Sequence, residues 1–166
     1  MKFSYKLVIL LCLAGTVALQ AQERYLGPFF DDVEVTSNVP YGQNFSIITA
    51  FVTGTSMKLP LLMDVYQPAG DTAEARPLAI VLHTGNFLPI QTNGGVTGEK
   101  TDSAVVEVCM RLARMGYVAV SADYRLGWNP LAESQPERAI GLINAAYRGV
   151  QDARTCIRYF KKDFAE

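Results

Sequence analysis

Hydrophobic and polar residues follow several distinct patterns along this chain, and each pattern predicts an element of secondary structure. Residues 45–52 and 61–67 are rich in β-branched and aromatic side chains and are bounded by Asn, Gly or Pro, which favours two strands. The continuous apolar runs Leu78–Leu82 and 117–122 are typical of strands buried on both faces of a sheet. We therefore expect an antiparallel strand pair followed by two strands of a sheet interior.

A first helix is predicted between the two buried runs. Its apolar residues recur at positions i, i+3, i+4 and i+7, namely Val105, Val108, Cys109 and Leu112. Asp102 or Ser103 can cap the start of this helix, and Gly116 can end it. A strand, a helix and a strand in this order form a right-handed crossover, so the two buried strands are expected to be parallel.

A longer helix is predicted near the end of the chain, because the helical spacing of apolar residues continues from Ile140 to Phe160. Ser134 and Glu137 match the pattern of a capping box at its start. Together the elements predict an α/β fold, in which an antiparallel strand pair leads into a parallel sheet with flanking helices. No strand follows the last helix, so the pattern indicates an incomplete domain whose apolar sheet edge could associate with a second copy.

Residues 1–21 have a composition of their own. Lys2 and Lys6 precede an apolar run over residues 7–19, which predicts a signal peptide cleaved after Ala21. A membrane anchor is the alternative, but the run is shorter than the ~20 residues that a spanning helix needs. We expect a secreted or periplasmic protein without a stable membrane anchor after processing. Residues 22–43 are rich in turn formers and acids and are expected to form an irregular lead-in to a domain over residues 44–166.

Composition and charge limit the classes of function. The 166 residues are 49% hydrophobic, which suits one globular domain. Removing the leader takes away two lysines and no acid, so the formal charge changes from −1 to −3. This acidic balance argues against a nucleic-acid partner. The sequence contains no cluster of metal-ligand residues, and Cys109 and Cys156 are expected to be buried, unpaired thiols on opposite faces of the sheet.

His83 is the only histidine of the chain and directly follows the apolar run Leu78–Leu82. The stretch that begins there resembles the oxyanion loop of the carboxylesterase and lipase branch of the α/β-hydrolase superfamily, and consists of His83, Thr84, Gly85, Asn86 and Phe87. Further matches are Asp64-Val65-Tyr66, Asp123-Tyr124-Arg125-Leu126 and residues 146–160 with Asp152. The resemblance covers the N-terminal part of such a hydrolase and implies the corresponding half of that fold.

The resemblance also implies roles for individual residues. The amides of Gly85 and Asn86 would stabilise the oxyanion formed during acyl transfer. Thr84 departs from the family pattern, because many of these esterases have glycine at that position. Arg125 and Asp152 would form a structural ion pair, and neither a cofactor nor a metal is implied. The implied activity is that of a serine carboxylic-ester hydrolase, which forms an acyl-enzyme on a small-molecule or polysaccharide-linked ester.

The catalytic triad is not expected within these residues. The sequence has no G-x-S-x-G nucleophile motif, and its one histidine, His83, belongs to the oxyanion loop. The nucleophile, acid and base are therefore expected beyond Glu166, and the chain alone is expected to be inactive. The alternative is a non-catalytic, hydrolase-like module for binding or assembly. Residues 94–101 are similar to a phosphate-binding loop, but Glu99 replaces its second glycine and argues against nucleotide binding.

Overall fold

A four-stranded sheet with helices on both faces makes up residues 24–163, the part of the chain that the computed structural model describes. In chain order its elements are β1 (Val33–Ser46), α1 (Ile47–Thr53), β2 (Met57–Pro68), β3 (Leu78–Leu82), α2 (Ser103–Arg114), β4 (Val118–Ala122) and α3 (Gln135–Asp163). The predicted signal peptide lies outside the described residues. No helix within residues 24–163 has both the length and the apolar character needed to cross a membrane.

The strands lie in the order β1-β2-β4-β3. β1 is antiparallel to β2, and β2 is antiparallel to β4, with Val65 beside Val120. β3 is parallel to β4, with Val81 beside Ser121, and α2 lies in the connection between them. The predicted parallel pair is therefore confirmed, whereas the antiparallel partner of β2 is β1 and not the predicted strand over residues 45–52. All four strands belong to one mixed α/β sheet.

The two faces of the sheet carry separate hydrophobic clusters. Side chains alternate along a strand, so Met63 and Val65 of β2 point to one face and Tyr66 points to the other. Cys156 of α3 joins the first cluster, and Cys109 of α2 joins the second. As predicted, both thiols are buried and unpaired, and the sheet separates them.

The predictions for the region before β2 are wrong in two respects. Only the first two of residues 45–52 lie in a strand, at the end of β1, because Ile47–Thr53 is helical. Residues 22–43 are not irregular throughout, because they contain most of β1. Pairing with β2 holds this region extended although it is rich in turn formers. Asn38, for example, has a φ of 58° and lies at a break in the register between β1 and β2.

The helix α1 forms a tight connection between β1 and β2. Gly54 ends it with a φ of 76°, and the N–H of Gly54 donates to the carbonyl oxygen of Ala50 at 3.0 Å. The hydroxyl of Thr49 donates to the carbonyl oxygen of Ser46 at 2.8 Å and accepts from the N–H of Met57 at 2.8 Å. These local bonds outweigh the strand preference of the β-branched residues in α1.

The ends of the two longer helices agree with the local sequence signals. Ser134 and Glu137 form the predicted capping box, in which each N–H donates to the other side chain at 3.3 Å. Gly116 follows α2 with a φ of 102°. Asp102 precedes α2 as predicted, but its carboxylate accepts the N–H of Gly98 at 2.8 Å instead of capping the helix.

Candidate functional site

His83 follows β3 at the carboxyl edge of the parallel strand pair, where α/β sheets commonly bind ligands. Its buried imidazole ring is stacked on the ring of Tyr124, with the ring centroids 4.4 Å apart. Tyr124 lies just beyond β4, and its hydroxyl donates to the carbonyl oxygen of His83 at 2.8 Å. The ends of the two strands thus hold the start of residues 83–87, here called the 83–87 loop.

The first two peptide groups of the 83–87 loop are fixed through their carbonyl oxygens. The Nδ1 atom of His83 donates to the carbonyl oxygen of Thr84 at 2.7 Å. The carbonyl oxygen of Gly85 accepts the N–H of Leu88 at 3.0 Å and the side-chain amide of Asn93 at 3.4 Å. Both oxygens therefore point toward donors within the protein.

The next two peptide groups are fixed by the loop that follows β4. The indole Nε1 of Trp128 donates to the carbonyl oxygen of Asn86 at 2.8 Å. The N–H of Gly127 donates to the carbonyl oxygen of Phe87 at 2.7 Å, and Arg148 of α3 donates to the carbonyl oxygen of Gly127. The loops after the two parallel strands are therefore bonded to each other and to α3.

The amide N–H groups of the 83–87 loop point in the direction opposite to its carbonyl oxygens. A trans peptide is planar with its N–H opposite its C=O, so an inward carbonyl turns the following N–H outward. The N–H groups of Gly85, Asn86 and Phe87 donate to no residue within the range 24–163. The backbone has φ values of 119°, 55° and 57° at these three positions. Successive unpaired donors of this kind are suited to binding an anionic oxygen.

Glycine is required at position 85 because the space around it is filled. A Cβ atom there would lie 2.7 Å from Nδ2 of Asn93, 3.1 Å from Cα of Gly98 and 3.1 Å from the carbonyl oxygen of Thr97. Asn93 also donates to the carbonyl oxygen of Leu88 at 3.1 Å and so connects the two sides of this loop region. That role could not be predicted from the sequence, since Asn before glycine is typical of any turn.

Asp123 follows β4 and lies against His83. Its Oδ1 atom is 3.7 Å from Nε2 of His83 and accepts the N–H of Lys100 at 2.8 Å. The N–H of Asp123 donates to the carbonyl oxygen of Leu62 at 3.0 Å, which attaches this residue to β2. Burial raises the pKa of Asp123 above its ordinary value, although the hydrogen bond from Lys100 and the neighbouring His83 act in the opposite direction.

Two buried ion pairs lie behind this edge of the sheet. Arg125 and Asp152, the pair named from the sequence, are joined at 2.8 Å, and the Asp152 side chain is 1% exposed. The carboxylate of Asp152 also accepts the N–H of Arg125 at 2.9 Å, which ties α3 to the loop after β4. The second pair, Lys100 with Asp64, was not anticipated from the sequence. The only signals for this pair in the sequence are a charged residue, Asp64, within the apolar part of β2 and a lysine, Lys100, shortly before α2.

Two cavities adjoin His83. One has a volume of about 290 Å³ and is bounded by polar residues that include Gln91, Glu99, Thr101 and Asp123. The other has a volume of about 350 Å³, is mainly apolar and lies between the 83–87 loop and α3, where it is bounded by Phe87, Ala146 and Val150. Across residues 24–163, no three His, Cys, Asp or Glu residues are grouped so as to hold a metal ion.

Comparison with known proteins finds likenesses among solved structures. The chain is similar to brefeldin A esterase, a bacterial homologue of human hormone-sensitive lipase, with 20% identity and a TM-score of 0.38 over 93% of this chain and 38% of that one. It is also similar to esterase B from Lactobacillus rhamnosis, with 20% identity and a TM-score of 0.36 over 90% of this chain and 39% of that one.

These likenesses concern the α/β fold alone. The chain spans about two-fifths of the length of the structures that it matches. No family model matches the sequence, and no curated protein matches it.

Proposed function

We propose that this chain is the N-terminal part of a serine carboxylic-ester hydrolase and supplies its oxyanion-binding loop. The observation that carries this proposal is the row of N–H groups at Gly85, Asn86 and Phe87, for which the described part of the chain supplies no acceptor. These groups lie in the loop that follows β3, whose first residue, His83, borders both cavities and whose last residue, Phe87, borders the apolar one. They also belong to the stretch that resembles the oxyanion loop of the α/β hydrolases.

The proposed role of the loop is electrostatic. When a nucleophile attacks an ester, the carbonyl oxygen becomes an oxyanion, and preorganised N–H donors stabilise its charge. Gly85 and Asn86 would supply two such donors, because their peptide planes are already held through the carbonyl bonds of the preceding residues. His83 would not be the general base, since its Nε2 is shielded from solvent and its Nδ1 is bonded to Thr84.

The serine nucleophile, the acid and the histidine base would come from residues outside this sequence. α3 leaves several large apolar side chains exposed, namely Ile140, Ile143, Tyr147 and Val150. A further parallel strand beside β3, followed by its helix, would cover this surface and the apolar cavity. The same strand would end close to the 83–87 loop, which is where a nucleophile elbow has to lie relative to its oxyanion donors.

We extend the proposal to the substrate and to export. The substrate would be a small-molecule or polysaccharide-linked ester, and the protein would be secreted or periplasmic after loss of residues 1–21. Export is supported by Lys2, Lys6 and the apolar run that follows them. Mass spectrometry of the exported protein should find Gln22 at the N-terminus. Intact Met1 in a membrane fraction would instead indicate an anchor.

The test of the proposed activity uses the complete product of the gene. Replacement Gly85→Ala should lower kcat for p-nitrophenyl butyrate by about 100- to 1,000-fold, as expected when one oxyanion donor is displaced. The matched control is Gly94→Ala. Gly94 also has a positive φ, of 108°, but no atom lies within 4 Å of a Cβ added there. The control therefore introduces the same backbone strain without disturbing the 83–87 loop.

Two further measurements complete this test. A serine-directed phosphonate should label one serine of the complete product and stop its turnover. The 166-residue chain alone should not hydrolyse the ester above a heat-treated control. Full activity with alanine at position 85, or turnover by the chain alone, would contradict the proposal.

A second candidate function is a non-catalytic module for binding or assembly. It is favoured by β3, which is an edge strand with Leu78 38% exposed and Leu82 37% exposed. An apolar edge of this kind can pair with a strand of another chain. Sedimentation should then show dimers of the chain, and Leu82→Lys should reduce them. A monomer at high concentration would reject this candidate.

A further inference from the structure

The N–H of Phe87 is the third outward donor of the 83–87 loop, and a residue far along the chain controls its direction. The groups that fix the two earlier peptide groups belong to residues 83–93. The peptide group that joins Asn86 to Phe87 is fixed instead by the indole Nε1 of Trp128, which donates to the carbonyl oxygen of Asn86 at 2.8 Å. Because a trans peptide is planar, this bond turns the N–H of Phe87 outward.

Phe87 has a backbone conformation that its own side chain disfavours. Its φ is 57°, in the left-handed region, which is rare for a bulky residue. Such a conformation persists only where the surrounding structure imposes it. The carbonyl oxygens on both sides of this residue are held by consecutive donors, since the N–H of Gly127 bonds to the Phe87 oxygen at 2.7 Å and Trp128 bonds to the preceding one. The loop after β4 therefore imposes the conformation of Phe87.

Gly127 and Trp128 are enclosed by two helices. A Cβ atom added to Gly127 would lie 2.5 Å from Cγ2 of Ile47, so α1 packs directly on this position. The guanidinium of Arg148 in α3 donates to the carbonyl oxygen of Gly127. Trp128 packs on the backbone of α3, because a Cβ atom added to Gly141 would lie 3.6 Å from Cβ of Trp128. The indole donor is therefore anchored to α1 and α3 independently of the loop that it holds.

The bond from the indole has no substitute nearby. Within residues 24–163 the carbonyl oxygen of Asn86 accepts no other hydrogen bond. An indole has a single N–H and no acceptor, so this bond uses the whole hydrogen-bonding capacity of the Trp128 side chain. Loss of that one N–H therefore releases the peptide group between Asn86 and Phe87 and lets the N–H of Phe87 turn away.

We propose that Trp128 is a positioning residue, which holds the N–H of Phe87 as a third donor to the oxyanion. The N–H groups of Gly85 and Asn86 are the other two donors. Donors that are fixed before the reaction stabilise the developing charge without reorganising, and the indole supplies that fixation for Phe87. The consequence for catalysis rests on the proposed function, whereas the link from the indole of Trp128 to the Phe87 amide does not.

The link is measurable by NMR on the 166-residue chain, in which Trp128 is the only tryptophan. Replacement of Trp128 by benzothienylalanine keeps the shape of the side chain but puts a sulfur atom in place of the indole N–H. Residual dipolar couplings report the direction of each backbone N–H. The coupling of Phe87 should be reduced in this variant, because its N–H is released. The coupling of Gly85 should stay the same, because that amide is held through the carbonyl oxygen of Thr84.

Two further variants complete the NMR test. Trp128→Phe also removes the N–H and should reduce the coupling of Phe87 in the same way. Leu131→Ala is the matched control, because Leu131 lies in the same loop and is 88% exposed, and it should leave the couplings of Phe87 and Gly85 unchanged. An unchanged Phe87 coupling in the benzothienylalanine variant would overturn the proposal. Equal changes at Phe87 and Gly85 would also overturn it, since they would indicate general loosening of the loop.

Kinetics of the complete gene product test the consequence for catalysis. The benzothienylalanine variant should have its kcat for p-nitrophenyl butyrate lowered by about tenfold with little change in KM, because an oxyanion donor acts on the transition state. An unchanged kcat together with a reduced Phe87 coupling would reject Phe87 as a third donor. A complete product without esterase activity would reject the proposed function, but the dipolar couplings would still decide whether Trp128 holds the Phe87 amide.

Discussion

The ammonium nitrogen of Lys100 lies 2.8 Å from each carboxylate oxygen of Asp64, and the two residues are 6% and 4% exposed. The same carboxylate accepts the backbone N–H of Asn38 at 2.7 Å. The hydroxyl of Ser121 donates to the carbonyl oxygen of Lys100. These contacts attach the segment before α2, which also binds Asp123, to the middle of the sheet.

Replacement Lys100→Met should lower the free energy of unfolding by about 3–5 kcal/mol, because it leaves the charge of Asp64 buried without its partner. Urea denaturation measures this loss. The control is Arg111→Met, which breaks an exposed pair with Glu107 and should cost less than about 1 kcal/mol. Equal losses of unfolding free energy in the two variants would show that the buried pair contributes no more to stability than the exposed pair.

Asn93→Ala should loosen the 83–87 loop and destabilise the protein by about 1–3 kcal/mol, since it removes the donor that reaches Gly85 and Leu88. Hydrogen exchange of the Leu88 amide should become faster than in the unmodified chain. Asn44→Ala is a suitable control, because among residues 24–163 the Asn44 side chain bonds only to the adjacent N–H of Phe45. Unchanged exchange at Leu88 would contradict the role assigned to Asn93.

Asp71 should contribute a pH-dependent part of the stability. Burial by itself raises the pKa of Asp71, but the hydrogen bonds from Arg24 and from the N–H of Ala73 more than offset this and hold the pKa below its usual range. Because the pKa is lower in the folded state, the contribution is complete above the unfolded-state value of about 4 and is lost as the pH falls through the folded-state value.

Asp71→Asn should therefore be less stable than the unmodified chain at about pH 5, and the difference should shrink toward about pH 2. Urea denaturation at several pH values measures this difference. Asp31→Asn is the control, because Asp31 is exposed and forms no ion pair within residues 24–163. A constant difference between Asp71→Asn and the unmodified chain across this range would count against the pairing with Arg24.

Cys109 and Cys156 should be unreactive in the folded protein. Burial raises the pKa of each thiol to about 11, so little thiolate forms at about pH 8. In a Cys12→Ser background, iodoacetamide should label neither residue under native conditions and both residues in urea. Rapid labelling of either thiol without urea would show that its side of the sheet opens readily.

The sequence predicted most of the elements because their signals are local. The apolar run Leu78–Leu82, the helical spacing in α2 and the capping box at Ser134 each depend on neighbouring residues, and each appears as predicted. The position of His83 directly after β3 follows from the same local pattern. The prediction of a strand over residues 45–52 is wrong because β-branched residues have only a weak preference for strands. The hydrogen bonds around Thr49 outweigh that preference.

The sequence by itself thus determined the order of the strands and helices from β2 onward, the parallel pair and the place of the 83–87 loop at the end of β3. Only the tertiary structure decided which groups hold that loop. The donors to its carbonyl oxygens come from His83, Leu88, Asn93, Tyr124, Gly127 and Trp128, and the partner of Lys100 is 36 residues away in β2. Hydrophobic spacing reports which side of an element is buried, but a hydrogen bond between distant segments depends on where the completed sheet places them.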